Sequence, residues 1–141
     1  MGPGGGGRVR KEVLPVFMRA TATSPPDIRQ RVRDAIAVAD DRKATDLTVL
    51  DLMEVTDFTD FFMVCSGRNT RQVQAIADGI VKALRETGVR PLHVEGQNMA
   101  HWVLLDYGDF VVHVFDLETR EHYGLERLWA DAPDVTAELR E

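Results

Sequence analysis

The run "HWVLLDYGDFVVHVF", His101 to Phe115, decides how the rest of the chain reads. Two apolar stretches flank Gly108-Asp109, which predicts a β-hairpin turning there. Neither stretch alternates cleanly between apolar and polar. In the first, Trp102, Leu104 and Asp106 share one face and Val103, Leu105 and Tyr107 the other, because successive strand side chains point to opposite sides. A hairpin that is apolar on both faces has to be covered on both. The fold therefore turns on how many covering elements the chain supplies.

Upstream of the hairpin, "PLHVE" (91–95) reads as a short strand and "GQNM" as a loop. A helix precedes them. Asn69 stands at its N-cap with Gln72 in the boxing position, Val73, Ile76, Ala77, Ile80 and Leu84 form its apolar stripe, and Gly88 suits a left-handed exit. "DLTVLDLM" (46–53) and "FFMVCS" (61–66) are strands, joined by the polar turn "EVTDFTD". Asp27, with Gln30 three residues on, opens a first helix whose stripe is Ile28, Val32, Ala35, Ile36 and Ala39; Asp40-Asp41-Arg42-Lys43 closes it. Downstream, "GLERLWA" (124–130) is a short helix that turns Leu125, Leu128 and Trp129 toward the core.

This order predicts an α/β domain built on a five-stranded mixed sheet flanked by helices, with too few helices to cover both faces fully. The second face of the hairpin is then left for a second copy of the chain or for another protein. The expected domain spans residues 27–131. Residues 1–26, rich in Gly and Pro, bury too little apolar surface to order and are expected to form a disordered tail, while 132–141 are expected to be an acidic, frayed one.

Net charge is −6 over 141 residues, unevenly spread. Residues 91–141 hold three basic residues against eleven acidic ones, a net of −8. Such a surface is a poor dock for a phosphate backbone and a good one for a basic protein. From charge alone, the better reading is a solvated acidic face that keeps the protein in solution. No apolar run approaches the ~18 residues of a membrane span. Cys65 is the sole cysteine, so no disulfide forms within the chain, which favours a reducing cytoplasm; it reads as a small buried apolar residue.

Catalytic signals are weak. His93, His101, His113 and His122 are spaced by eight, twelve and nine residues, and none pairs with another ligand in a recognised metal spacing. "CSGR" is not a nucleophile elbow. Ser66-Gly67 opening a helix resembles the entry to a nucleotidyl-transfer core, but the next strand, "PLHVE", lacks the paired carboxylates that would hold a divalent metal at the phosphate. An enzyme of nucleotide chemistry is the alternative reading. Trp102 is of a residue type enriched in binding hot spots, and it reads either as an anchor for a partner or as core.

These segments together resemble the ribosomal silencing factor family, the Iojap-like proteins. The specific elements are "LD" (50–51), "TDFF" (59–62), "SGRNTRQV" (66–73), "VEG" (94–96), the hairpin from Trp102 to Phe115, and "LERLW" (125–129), over roughly residues 28–131. Residues before Met18 fall outside the pattern. The resemblance implies a nucleotidyltransferase-like core without catalytic carboxylates and a non-enzymatic repressor of translation needing no cofactor or metal. It implies binding to the large ribosomal subunit through its fourteenth protein, with neighbouring ribosomal proteins or RNA in reach. Subunit joining is then blocked when nutrients are scarce, and the free protein is a homodimer in the cytoplasm. With that family in view, Glu95, Trp102, Leu104, Asp106, Asp109 and Val111 are the expected partner contacts, with Trp102 as apolar anchor and the acids pairing with Lys or Arg.

Overall fold

The computed structural model describes residues 27–140. The tail expected over residues 1–26 lies outside them. Helix α1, Ile28–Asp41, starts where Asp27 accepts the backbone N–H of Gln30 at 2.9 Å. Helix α2, Thr70–Glu86, starts where Asn69 accepts that of Gln72 at 2.9 Å. Both N-caps fall where the sequence places them, but the boxes stay half-made. Gln30 donates to Asp34, while Gln72 accepts the N–H of Arg68, one residue before the cap, and donates to the carbonyls of Arg42 and Lys43, tying the end of α1 to the start of α2.

Five strands follow the predicted order: β1 Thr45–Asp51, β2 Phe61–Gly67, β3 His93–Glu95, β4 Trp102–Asp106 and β5 Phe110–Asp116. They lie side by side as β1-β2-β5-β4-β3. The β2–β5 pair is parallel and the others antiparallel, so the sheet is mixed. The parallel pairing requires a crossover, and α2 supplies it. Close approach of that helix is built into Gly67, where a Cβ would lie 2.9 Å from the backbone nitrogen of Val73. The hairpin turns at Gly108, which takes a φ of +90°.

One sheet face packs on α1 and α2. It carries Phe61, Met63, Cys65, Val103, Leu105, Phe110, Val112 and Val114, all buried with the helical stripes of Val32, Ile36, Val73, Ile76, Ile80 and Leu84. Cys65 is fully enclosed and burial pushes its thiol up to about 12, in keeping with a packing role.

The C-terminal part departs from expectation twice. A helix α3, Leu117–Tyr123, precedes the short α4, Leu125–Leu128. It has no buried residue and therefore no apolar stripe, yet its ends are written in sequence: Asp116 accepts the Thr119 N–H at 2.8 Å and Gly124 closes it at φ +53°. The second departure concerns the frayed acidic tail expected at 132–141, whose described residues, 132–140, are held in place. Asp51 N–H donates to the Pro133 carbonyl and Val135 N–H to that of Val49, so the segment lies along the outer edge of β1. Helix α5, Thr136–Arg140, then buries Leu139 in the main core, and Arg140 pairs with Asp40 of α1. Its acids, Asp134 and Glu138, point outward while Val135 and Leu139, four apart, point in. Composition hid a two-residue apolar stripe.

Candidate docking face

Strand register sorts the expected contact residues. His93 pairs with Asp106 and Glu95 with Leu104 across β3–β4; Asp106 pairs with Val111, Leu104 with His113 and Trp102 with Phe115 across β4–β5. Paired residues share a face, so Glu95, Trp102, Leu104, Asp106 and Val111 all lie on the side away from α1 and α2. Asp109 does not join them. It sits in the turn, where both its oxygens are held by the guanidinium of Arg31 in α1 at 2.9 and 2.8 Å.

This second face is half covered. Trp129 meets Phe62 edge-on at 5.8 Å, and Ala132 joins a small cluster with Leu50, Leu52, Phe62 and Val111, leaving Leu104 half-buried at its border. Phe58, from the β1–β2 loop, leans on Phe62 and Trp129 at 6.0 and 5.9 Å but remains 58% exposed. Cover thus extends over β1, β2 and part of β5. The outward sides of β4 and β3 stay accessible, with Glu95 exposed and Trp102, Leu104 and Asp106 half-exposed.

Trp102 is placed by three contacts. Its ring stacks on Phe115 at 4.8 Å and 28°, Tyr123 of α3 lies 4.8 Å from it, and its indole N–H donates to Nδ1 of His113 at 3.0 Å. It is neither a pure core residue nor a loose surface one. Sequence reasoning missed His113 and Tyr123. The hairpin register alone would have found His113, because a turn at Gly108 sets it opposite Leu104 and diagonal to Trp102.

The acids differ in their commitments. Asp106 accepts the Gly108 N–H at 2.8 Å through Oδ1, stabilising the turn. Glu95 meets the His93 ring at 2.5 Å. Asp116 sits 2.6 Å from His101; burial alone would raise its pKa, but hydrogen bonds from Thr119 and His101 outweigh it and hold the carboxyl below its usual value. Ser66, at the strand end considered for nucleotide chemistry, is fully buried, and its hydroxyl accepts from Arg120, which also pairs with Glu126. Asn69 is used as the cap.

Burial holds His113 neutral, lowering its pKa from 6.5 to about 4, against a smaller opposing pull from Glu126. The unfolded chain therefore binds a proton that the folded one refuses. Stability is full above the unfolded pKa and falls as pH drops from 6.5 toward 4. Denaturant unfolding at pH 5 should show about 2 kcal/mol less stability than at pH 7, and His113→Leu should remove most of that difference. A pH-independent unfolding midpoint over that range would show that His113 titrates normally.

Residues 25–141 match the family model described as "Ribosomal silencing factor during starvation". The ribosomal silencing factor of Halalkalibacterium halodurans is 43% identical over 104 residues, covering 74% of this chain and 89% of the relative. The mouse protein named "Mitochondrial assembly of ribosomal large subunit protein 1" is 34% identical over 89 residues, 61% of this chain and 39% of that one. A crystal structure of a Chromobacterium violaceum protein superposes with a TM-score of 0.73 at 35% identity, covering 74% of this chain and 88% of the other.

Proposed function

The chain belongs to the ribosomal silencing factor family, and from that premise we propose that it binds the large ribosomal subunit through the subunit's fourteenth protein and keeps the small subunit from joining. Membership gives it a ribosome-associated silencing role, and the family is not an enzyme class. The half-covered face of β3 and β4 is the observation that supports the finer reading. It sets an aromatic anchor, Trp102, on β4 with Leu104, and Glu95 and Asp106 on the same side; Val111, expected among the contacts, is buried with Phe62 and Ala132 and is not open to a partner. Ribosomal proteins carry basic surfaces, and acids beside an apolar anchor fit such a partner in charge. The name of the mouse relative also points to the large subunit.

Repression on this reading needs no bond made or broken. A folded domain seated on a surface that must lie flush against the other subunit excludes it by bulk, so joining should fall with factor concentration and recover with excess small subunits. In the absence of ribosomes the exposed face is covered by a second copy, giving the homodimer. The cytoplasm is where it acts. Among the described residues no helix is long and apolar enough to cross a membrane.

Co-sedimentation with salt-washed large subunits, paired with light scattering of subunit joining, tests the proposal. Binding with inhibition of joining is expected. Binding without inhibition would leave a ribosome-associated protein that silences some other way, and absence of binding would remove the docking reading. The acids have their own test. Asp106→Asn keeps an oxygen for Gly108 N–H while removing charge, and should slow association about threefold to tenfold at low salt, with the difference shrinking as salt rises. An unchanged association rate would place Asp106 outside the contact.

A further inference from the structure

We propose, resting on the docking reading above, that His113 is a positioning residue that holds the Trp102 indole in one orientation for the partner. The geometry assigns this role through what His113 satisfies and what it leaves unsatisfied. An indole nitrogen only donates, so Nδ1 of His113, 3.0 Å away, must carry a lone pair. The ring's proton is then on Nε2. That atom is buried and, among the described residues, has no hydrogen-bond partner; the ring meets Phe62 edge-on at 4.6 Å.

Stability alone is a poor account of such a residue. His113 is 4% exposed between Val111 and Phe115 on its face of β5, where an apolar side chain would fill the space without burying an unmatched N–H. What the histidine adds is a bond to the half-exposed Trp102 ring of that face. The stack on Phe115 and the contact with Tyr123 set the plane of the indole, but neither selects which edge of the ring points inward. The bond from Nε1 to Nδ1 fixes which edge points into the sheet and which toward a partner. A ring already held loses less freedom on binding, so its contact area is converted more fully into affinity.

His113→Leu and His113→Gln separate the two roles. Leucine fills the space and removes the acceptor; glutamine restores an acceptor oxygen. His113→Leu removes one unmatched N–H but strands another, on the indole, so its urea midpoint at pH 7 should lie close to that of wild type; it should nonetheless bind large subunits about tenfold more weakly, with His113→Gln recovering most of that loss. A second measurement is independent of ribosomes. In the free wild-type protein the Trp102 indole proton, identified by its loss in Trp102→Phe, should exchange with solvent at least about tenfold more slowly than that of N-acetyltryptophanamide. Wild-type binding by His113→Leu, a glutamine variant as weak as the leucine one, fast indole exchange, or a His113→Leu chain that does not fold would each overturn the proposal. Slow indole exchange in a wild-type protein that does not bind large subunits would keep the bond but end the docking reading, and with it the purpose given to His113.

Discussion

Trp102→Ala is expected to weaken binding to the large subunit by about thirtyfold or more, ~2 kcal/mol, in a protein that remains folded. The half-exposure of the ring is the reason for expecting both. Phe115, Tyr123 and the His113 bond take up much of the ring, and the remainder stays accessible among the described residues. Truncation removes the accessible apolar area that a partner would desolvate. It also leaves the His113 acceptor without its donor, a separate cost of about 1–2 kcal/mol to folding. The two losses are read separately, binding by sedimentation and folding by urea denaturation followed by circular dichroism. If Trp102→Ala does not fold, the residue is core and the anchor lies elsewhere. A folded variant that binds and inhibits joining as wild type does would move the docking site off this face. Trp102→Phe, which keeps a ring to stack but no donor, should fall between wild type and alanine.

How legible this face was in the sequence can be judged residue by residue. The hairpin, its turn at Gly108 and the facing of Val103, Leu105 and Tyr107 toward the helices follow from a period of two and one glycine, and all are present. Both long helices declare themselves through a cap and an apolar stripe. Grouping Glu95 with Trp102, Leu104 and Asp106 also needs only strand alternation once β3 is paired with β4. Asp109 shows where that logic stops. Its place in the turn leaves its side chain free to reach either face, and only the approach of α1 reveals that Arg31 takes it. Arg31 lies on the buried stripe of α1, a position where a periodic pattern promises an apolar residue, and that anomaly was the available signal. Cover for the second face was the harder matter. It comes from Trp129 and Ala132, with α3 alongside, in a segment with one strong apolar residue per turn at best, whose place on the sheet is fixed by Arg120 reaching Ser66 and by Trp129 reaching Phe62. Such long-range contacts leave no local period to read.

Leu139→Ala is expected to destabilise the domain by about 3 kcal/mol, lowering its thermal midpoint by roughly 10 °C, although the residue lies third from the end of the chain. A terminal acidic stretch would ordinarily be insensitive to such a change. Here Leu139 is 1% exposed and belongs to the same buried cluster as Val32, Val49 and Ala39. Its helix is tied down on both sides of the residue: Thr136 accepts the Val49 N–H at 2.8 Å, and Arg140 pairs with Asp40. Alanine would leave a cavity between α1 and β1 that neither element can close without giving up those bonds. Glu138→Ala, one residue earlier and exposed, should change stability by less than ~0.5 kcal/mol, so the pair separates burial from any general effect of altering the terminus. The consequence reaches the sheet edge. Pairing of Pro133 and Val135 with Asp51 and Val49 occupies the outer side of β1, a row of N–H and C=O groups that would otherwise be open to strand addition. Loss of Leu139 should therefore raise aggregation on heating as well as lower the midpoint, while binding to large subunits at temperatures where the variant is folded stays at the wild-type level, because the proposed docking face is on the opposite side of the sheet. Equal midpoints for Leu139→Ala and Glu138→Ala would return the segment to the status of a frayed tail.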